Sequence, residues 1–193
     1  MISRVLEYHR ERKTTRFTLS YSGVRPRPGQ FVALVIPGEK EIPLGVADYR
    51  EGEVEIYIDS WNLAQWMISR EKVILEGPFG RQLKLGNVKG ISTGDLYHDL
   101  LFPLREARRM GFDAKLECLD ECDTVFTSKE RENWDLIIAS VPREVIGKLP
   151  AGTLVYVRWA KMNCMAGVCG VCQIRGKLAC VEGPFLEVEK VVD

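Results

Sequence analysis

Four of the six cysteines in this sequence lie in one segment near its C-terminus. Asn163-Cys164-Met165-Ala166-Gly167-Val168-Cys169-Gly170-Val171-Cys172 is followed, after a hairpin-like stretch, by Ala179-Cys180, giving the spacing C-x4-C-x2-C-x7-C. Three thiolates from one loop of small residues and a fourth from the next strand can surround a compact inorganic core. The first two intervals are those of plant-type 2Fe-2S centres. Cys164, Cys169, Cys172 and Cys180 are therefore the expected metal ligands.

The residues between the cysteines suit that chemistry. A 2Fe-2S centre with four thiolates is a dianion when oxidised and gains another negative charge on reduction, so it needs hydrogen-bond donors close by. Gly167 and Gly170 can adopt backbone angles closed to other residues and so turn peptide N–H groups toward sulfur. Arg175 and Lys177 add positive charge nearby. Two other readings are a zinc site, which usually pairs two C-x2-C knuckles where only one is present, and structural thiols or a disulfide. Disulfides are not expected in an intracellular chain.

The elements that must carry this loop follow from composition and pattern. The chain has 193 residues, enough for one large domain or two small ones, with 46% hydrophobic residues. Lys and Arg number 27, as do Asp and Glu, so no global basic field points to nucleic acid or an anionic membrane. The first residues, Met1-Ile2-Ser3-Arg4-Val5, lack the apolar core of a signal peptide, and no run approaches membrane-spanning length. A cytoplasmic protein with no membrane span is the expectation.

Residues 1–85 read as an antiparallel β-barrel or sandwich. Arg16-Phe17-Thr18-Leu19, Gln30 to Ile36, Val54 to Ile58 and Lys72 to Leu75 are rich in β-branched and aromatic residues, and Pro-Gly and similar turns separate them. Trp61 to Ile68 predicts a short helix plugging one barrel end, with Trp61 and Trp66 in core or interface positions. Residues 86–158 change to alternating strand and helix. Val88 to Ser92, Ala114 to Cys118, Asp135 to Ala139 and Leu154 to Arg158 predict strands of a reduced α/β layer, with a helix within Asp95 to Met110 that Pro103 kinks or delays and Gly111 ends. Residues 159–193 form the third unit, the lobe that carries the cysteines. The expected fold class is mixed β and α/β.

No catalytic residue is assigned. Cys118 and Cys122 fall outside the cluster spacing and read as ordinary thiols. His9 and His98 are the only histidines, and no Ser or Cys nucleophile is framed by a base. His98 is expected at the surface or in a first helical turn.

Taken in order, Arg27-Pro28-Gly29-Gln30-Phe31-Val32, Leu75-Glu76-Gly77-Pro78-Phe79-Gly80, and the segment from Met162 to Cys180 ending Glu182-Gly183-Pro184 resemble the iron-sulfur electron-transfer subunit of dihydroorotate dehydrogenase, within the ferredoxin reductase-like group. The resemblance covers nearly the whole chain, and its C-terminal motif is specific. It implies a β-barrel flavin domain, a shortened nucleotide-binding-like α/β domain and a terminal 2Fe-2S lobe. It also implies an FMN-bearing catalytic partner that oxidises dihydroorotate, assembled as a heterotetramer for pyrimidine synthesis.

This chain departs from that pattern at its nucleotide sites. Pro43-Leu44-Gly45-Val46-Ala47 stands where the family has an arginine and a hydroxyl for the flavin, and Asp59-Ser60-Trp61-Asn62-Leu63 where it has a Gly-x-Gly-Thr turn. These departures weigh against FAD. Gly90-Ile91-Ser92-Thr93-Gly94-Asp95 keeps two glycines and places a carboxylate where a pyrophosphate would sit, so NAD is not expected and direct reduction by NADH should be slow. The leading expectation is an electron-transfer subunit passing electrons from the partner's FMN through the cluster to an acceptor. A subunit of a related hydrogenase or sulfide or NAD(P)H oxidoreductase complex is the alternative within that class, and a zinc-stabilised interaction module the alternative outside it.

Overall fold

A computed structural model describes residues 1–122, 126–127 and 131–192 of the chain. The last residue of the expected cysteine lobe, 193, lies outside them. Six strands close an antiparallel barrel: β1 (Ile2–Glu11), β2 (Thr14–Ser20), β3 (Phe31–Ile36), β4 (Lys40–Arg50), β5 (Glu53–Ile58) and, after helix α1 (Trp61–Arg70), β6 (Lys72–Phe79), in the order β1-β2-β5-β4-β3-β6. Closure leaves no free sheet edge. Phe17 and Leu19 of β2, Val54, Ile56 and Ile58 of β5, and Val73 and Leu75 of β6 alternate into a common core.

Strand β3 is apolar without alternation because both of its faces are covered. Val32 and Leu34 point into the barrel core, while Phe31 and Ala33 pack outward against Met165, Cys172, Ala179 and Cys180. A barrel strand therefore forms the floor under the cysteine segment. Helix α1 plugs the barrel as expected: the Ser60 hydroxyl caps it by accepting the Leu63 N–H at 3.4 Å, and Ala64 and Met67 are buried in the core. Trp66 packs against that core, whereas Trp61 lies at the surface beneath the Arg10 guanidinium, 4.7 Å from its ring.

The second layer begins with β7 (Val88–Ser92), followed by a 3-10 turn (Gly94–Leu100) that runs into helix α2 (Leu101–Arg109). Pro103 sits in the first turn of α2, where its missing N–H leaves no helical bond unmade. The expected single helix is thus a tight turn and a shorter helix. Next come β8 (Ala114–Cys118), β9 (Leu136–Ser140), the short helix α3 (Arg143–Ile146) and β10 (Leu154–Tyr156). A small hairpin, β11 (Gln173–Ile174) and β12 (Lys177–Leu178), lies within the cysteine segment, and β13 (Phe185–Glu187) returns to the sheet.

Sheet order is β13-β10-β9-β7-β8, parallel except for β13. Gly90 holds β7 close to the turn and helix above it, since a Cβ there would stand 2.9 Å from Leu116 and 3.3 Å from Leu100 and Leu104. Ion pairs tie α2 to the barrel. Arg109 reaches both oxygens of Asp48 at 2.6 and 2.5 Å, and Arg105 meets Glu55 at 2.5 Å. No helix among the described residues is long and apolar enough to cross a membrane.

Two expectations are corrected. Cys118 and Cys122 are joined in a disulfide rather than standing as free thiols. The chain turns back at the end of β8 and brings their Cα atoms to 6.0 Å, within bridging range. His98 lies in the turn before α2 but is buried there, not at the surface. Tyr57 stacks on its ring at 3.7 Å and Tyr97 packs at 4.2 Å, so two aromatic neighbours cover a residue that the sequence places on a solvated helix.

Candidate functional site

The four cysteines form two close pairs in one loop-rich lobe. Cys172 and Cys180 are buried, their sulfurs 3.1 Å apart, and Ala179 N–H donates to the Cys172 carbonyl at 3.1 Å. Cys164 is half-buried and Cys169 exposed, and the Cys169 N–H donates to the Cys164 sulfur at 3.4 Å. The backbone makes this geometry available at Gly167, whose φ of +76° suits glycine and whose missing Cβ would lie 2.7 Å from Val181.

The thiol electrostatics follow from these contacts. Cys164 is lowered to about 6, first by the Cys169 N–H, then by the Cys169 side chain and the Ala166 N–H, all of which favour thiolate. Cys180 is pushed up to about 11, first by burial, then by Cys172, while the Gly167 N–H opposes the rise. Cys164 also acts on Cys180, which places both pairs within reach of each other's charge. Lys177 is paired with Glu182 at 2.6 Å, so its charge steadies the lobe's own turn rather than facing the sulfurs alone.

Among the described residues no three Cys, His, Asp or Glu side chains stand close enough to hold a metal ion. The donor set itself suits an iron-sulfur centre: four thiols, with peptide N–H groups already directed at sulfur. Met165 is buried beneath the loop, while Val168 is 83% exposed and Val171 53% exposed.

The three stretches that carried the resemblance converge on this lobe. Gln30 donates to the Gly80 carbonyl at 3.0 Å, Arg81 N–H to the Gly183 carbonyl at 2.7 Å, and Leu83 N–H to the Pro28 carbonyl at 2.8 Å. A Cβ at Gly80 would stand 2.6 Å from the Gly183 carbonyl, so the two Gly-Pro-Phe segments touch through their backbones.

Beside the lobe, between barrel and sheet, is a cavity of about 270 Å³. Pro43, Leu44 and Gly45 from β4, Asp59 and Ser60 at the start of α1, and Arg158 and Met162 from the approach to the cysteines line it. Arg158 spans the cleft. Its guanidinium donates to both oxygens of Asp99 at 2.7 and 2.8 Å and to Asp59 at 2.5 Å, and Ser140 donates to Asp99 at 2.7 Å. Burial raises the Asp99 carboxyl, and the Arg158 guanidinium and Ser140 hydroxyl that bond its oxygens oppose that rise. Asp99 and Arg158 lie 59 positions apart and carry no periodic signal, so sequence reasoning did not pair them.

The positions where the resemblance would place phosphate contacts are committed within the chain. Ser60 caps α1, Asp59 is an acceptor, and a Cβ at Gly45 would stand 2.9 Å from the Tyr156 hydroxyl. At the β7 turn the Gly94 N–H donates to Asp120 at 2.5 Å, so a carboxylate already occupies that donor. These residues do not fit a dinucleotide diphosphate.

His98 is held neutral. Burial, then Arg158 and Arg105, lower it from 6.5 to about 3. The unfolded chain takes up this proton below about pH 6.5 and the folded chain refuses it until about pH 3, so stability falls as pH drops through that window. Replacing His98 with Phe should remove about 2 to 3 kcal/mol of acid sensitivity between pH 7 and about pH 4.5. Urea midpoints at the two pH values measure it, and equal acid loss in both proteins would contradict the assignment.

No family model matches the sequence. The architecture, a closed barrel followed by a small α/β sheet, is the ferredoxin reductase-like fold. The NADH-dependent reduced ferredoxin-NADP oxidoreductase solved in work on flavin-based electron bifurcation superposes with a TM-score of 0.74, covering 99% of this chain and 90% of that one at 19% identity. The flavohaem-like FAD/NAD-binding domain of Vibrio cholerae nitric oxide dioxygenase gives 0.52, covering 76% and 89% at 13% identity. Within that fold the chain is similar to probable dihydroorotate dehydrogenase B (NAD(+)) electron transfer subunits. Those of Thermoplasma volcanium and Thermoplasma acidophilum are 24% and 25% identical, each over 86% of this chain and 80% of the relative. The resemblance drawn from the three sequence stretches is borne out.

Proposed function

We propose that the chain is an electron-transfer subunit whose four lobe cysteines, Cys164, Cys169, Cys172 and Cys180, hold a 2Fe-2S centre and exchange electrons with the FMN of a dihydroorotate dehydrogenase catalytic subunit in pyrimidine biosynthesis. The observation that carries this reading is the pairing of four thiols under peptide N–H donors, in a lobe seated on barrel strand β3. The names of the relatives support the electron-transfer role. When bound, such a centre supplies one-electron acceptance from a two-electron flavin.

The chain's own residues position that chemistry. Phe31 and Ala33 fix the lobe from below, Met165 fills its interior, and the Cys169 N–H stabilises negative charge on the Cys164 sulfur. FAD and NAD are left out of the proposal because the Gly94 N–H already donates to Asp120 and the Asp59 carboxylate stands at the start of α1. Val168 and Val171, exposed on the cysteine loop, form the docking rim for the partner, with a heterotetramer as the proposed assembly.

Val168→Glu should weaken binding of the FMN-bearing partner at least tenfold and slow flavin-to-cluster transfer, while the visible spectrum of the chain stays unchanged. Co-purification and anaerobic stopped-flow mixing with the reduced partner test both. Unaltered affinity and rate would move the docking face elsewhere, with the barrel surface around Trp61 next in line.

A further inference from the structure

Strand β13 is an edge strand: it pairs with β10 on one side and, among the described residues, with no strand on the other. The ladder fixes which of its backbone groups face outward. Val157 N–H donates to the Pro184 carbonyl at 2.9 Å and Val188 N–H to the Thr153 carbonyl at 2.8 Å. Both pairs are in register with the ladder, so the alternate residues, Phe185 and Glu187, direct their N–H and C=O groups away from β10. Phe185 is nearly covered, whereas Glu187 is exposed. An exposed edge N–H of this kind is a template for an added strand.

A groove of about 480 Å³ follows this edge. Phe185, Leu186 and Glu187 all line it although their side chains alternate between the two faces of the sheet, which places the opening at the edge rather than over one face. Leu136 and Leu154, the first residues of β9 and β10, are half-buried and give it an apolar floor. These are the N-terminal ends of parallel strands, the end of the sheet opposite to that where α/β folds take nucleotides. The rim is cationic. Arg81, Lys84 and Lys190 are exposed, and none is within ion-pair distance of a carboxylate among the described residues. Against these three stands Glu187 alone, because Glu182 is held by Lys177 and the Leu178 N–H at 2.6 and 3.0 Å.

We infer that this groove takes an extended acidic segment of a partner protein. Its backbone pairs with the Glu187 edge, its apolar side chains rest on Leu136 and Leu154, and its carboxylates meet Arg81, Lys84 and Lys190. Charge selects the occupant. A second copy of this chain pairing edge to edge would bring the three cations of one groove against the same three of the other, whereas an acidic strand neutralises them. The inference stands on β13 and its groove alone and is independent of what the cysteines hold.

A fluorescein-labelled peptide of alternating glutamate and valine, about six residues long to match a typical strand, reads binding to the full chain by fluorescence anisotropy at low salt. Saturable binding at one peptide per chain is expected, with the corresponding lysine–valine peptide at least tenfold weaker. Glu187→Pro separates strand addition from charge. The φ of −55° at Glu187 suits proline, so the strand is kept while its outward N–H and one negative charge are lost. Charge attraction alone predicts tighter binding in this variant, and strand addition predicts a loss of about tenfold or more. Lys84→Glu combined with Lys190→Glu, at exposed side chains, should also weaken the peptide at least tenfold. Equal affinity for the two peptides, unchanged or tighter binding in Glu187→Pro, or a chain that dimerises through this edge and binds no peptide would each overturn the assignment.

Discussion

Replacing any one of Cys164, Cys169, Cys172 or Cys180 by Ser is expected to abolish the iron-sulfur centre, taking iron and acid-labile sulfide from about two each per chain to near zero. The reason differs within the set. Cys164 and Cys169 are the accessible pair, so a serine there removes a ligand with little disturbance of packing. Cys172 and Cys180 are buried on the β3 floor beside Ala33 and Ala179, so a serine also leaves a hydroxyl in an apolar cluster. Cys118→Ser and Cys122→Ser are the controls, because the disulfide they form lies at the end of β8, outside the cysteine lobe. They should retain full iron and sulfide. A full complement in Cys180→Ser would remove the fourth ligand from the proposal.

The second large effect is on stability. Arg158→Met should cost about 3 to 5 kcal/mol, because Asp99 is buried and loses both guanidinium bonds, keeping only Ser140. Asp99→Leu alone should cost less, since Arg158 is partly exposed and retains Asp59. Combining the two should recover much of the loss, because no uncompensated charge remains in the cleft. Urea denaturation of the three variants measures the cycle. An Arg158→Met loss below about 1 kcal/mol would show that the Asp99 carboxylate does not depend on this pairing.

Most of the barrel was legible because its strands follow simple rules. Strands β2 and β5 alternate, β6 ends in a Gly-Pro turn, and α1 begins at a serine cap. Two strands escaped. β1 exposes most of its side chains, so charged residues interrupt its pattern, and β4 contains Pro43 and Gly45, which read as breakers although Pro43 pairs with Ala33 across the ladder. The cysteine spacing was visible because the four residues sit close in sequence. The Arg158, Asp99 and Asp59 cluster was not, because it joins three elements that only the packed fold brings together. The C-x3-C pair was seen, but its place at a strand end was read as leaving ordinary thiols, whereas the turn there brings the two Cα atoms to 6.0 Å. His98 was placed in a helical turn, where it lies, but its burial was not foreseen, because the partner that covers it, Tyr57, is contributed by another layer.

The central claim is that four thiols hold two irons and pass single electrons. Visible absorption of the anaerobically purified chain, followed by electron paramagnetic resonance after reduction with dithionite, tests it most directly. The account predicts a red-brown protein that bleaches on reduction and yields one S = 1/2 signal per chain. A colourless protein carrying one zinc per chain and no paramagnetic signal would contradict it and leave the cysteines as a structural metal site.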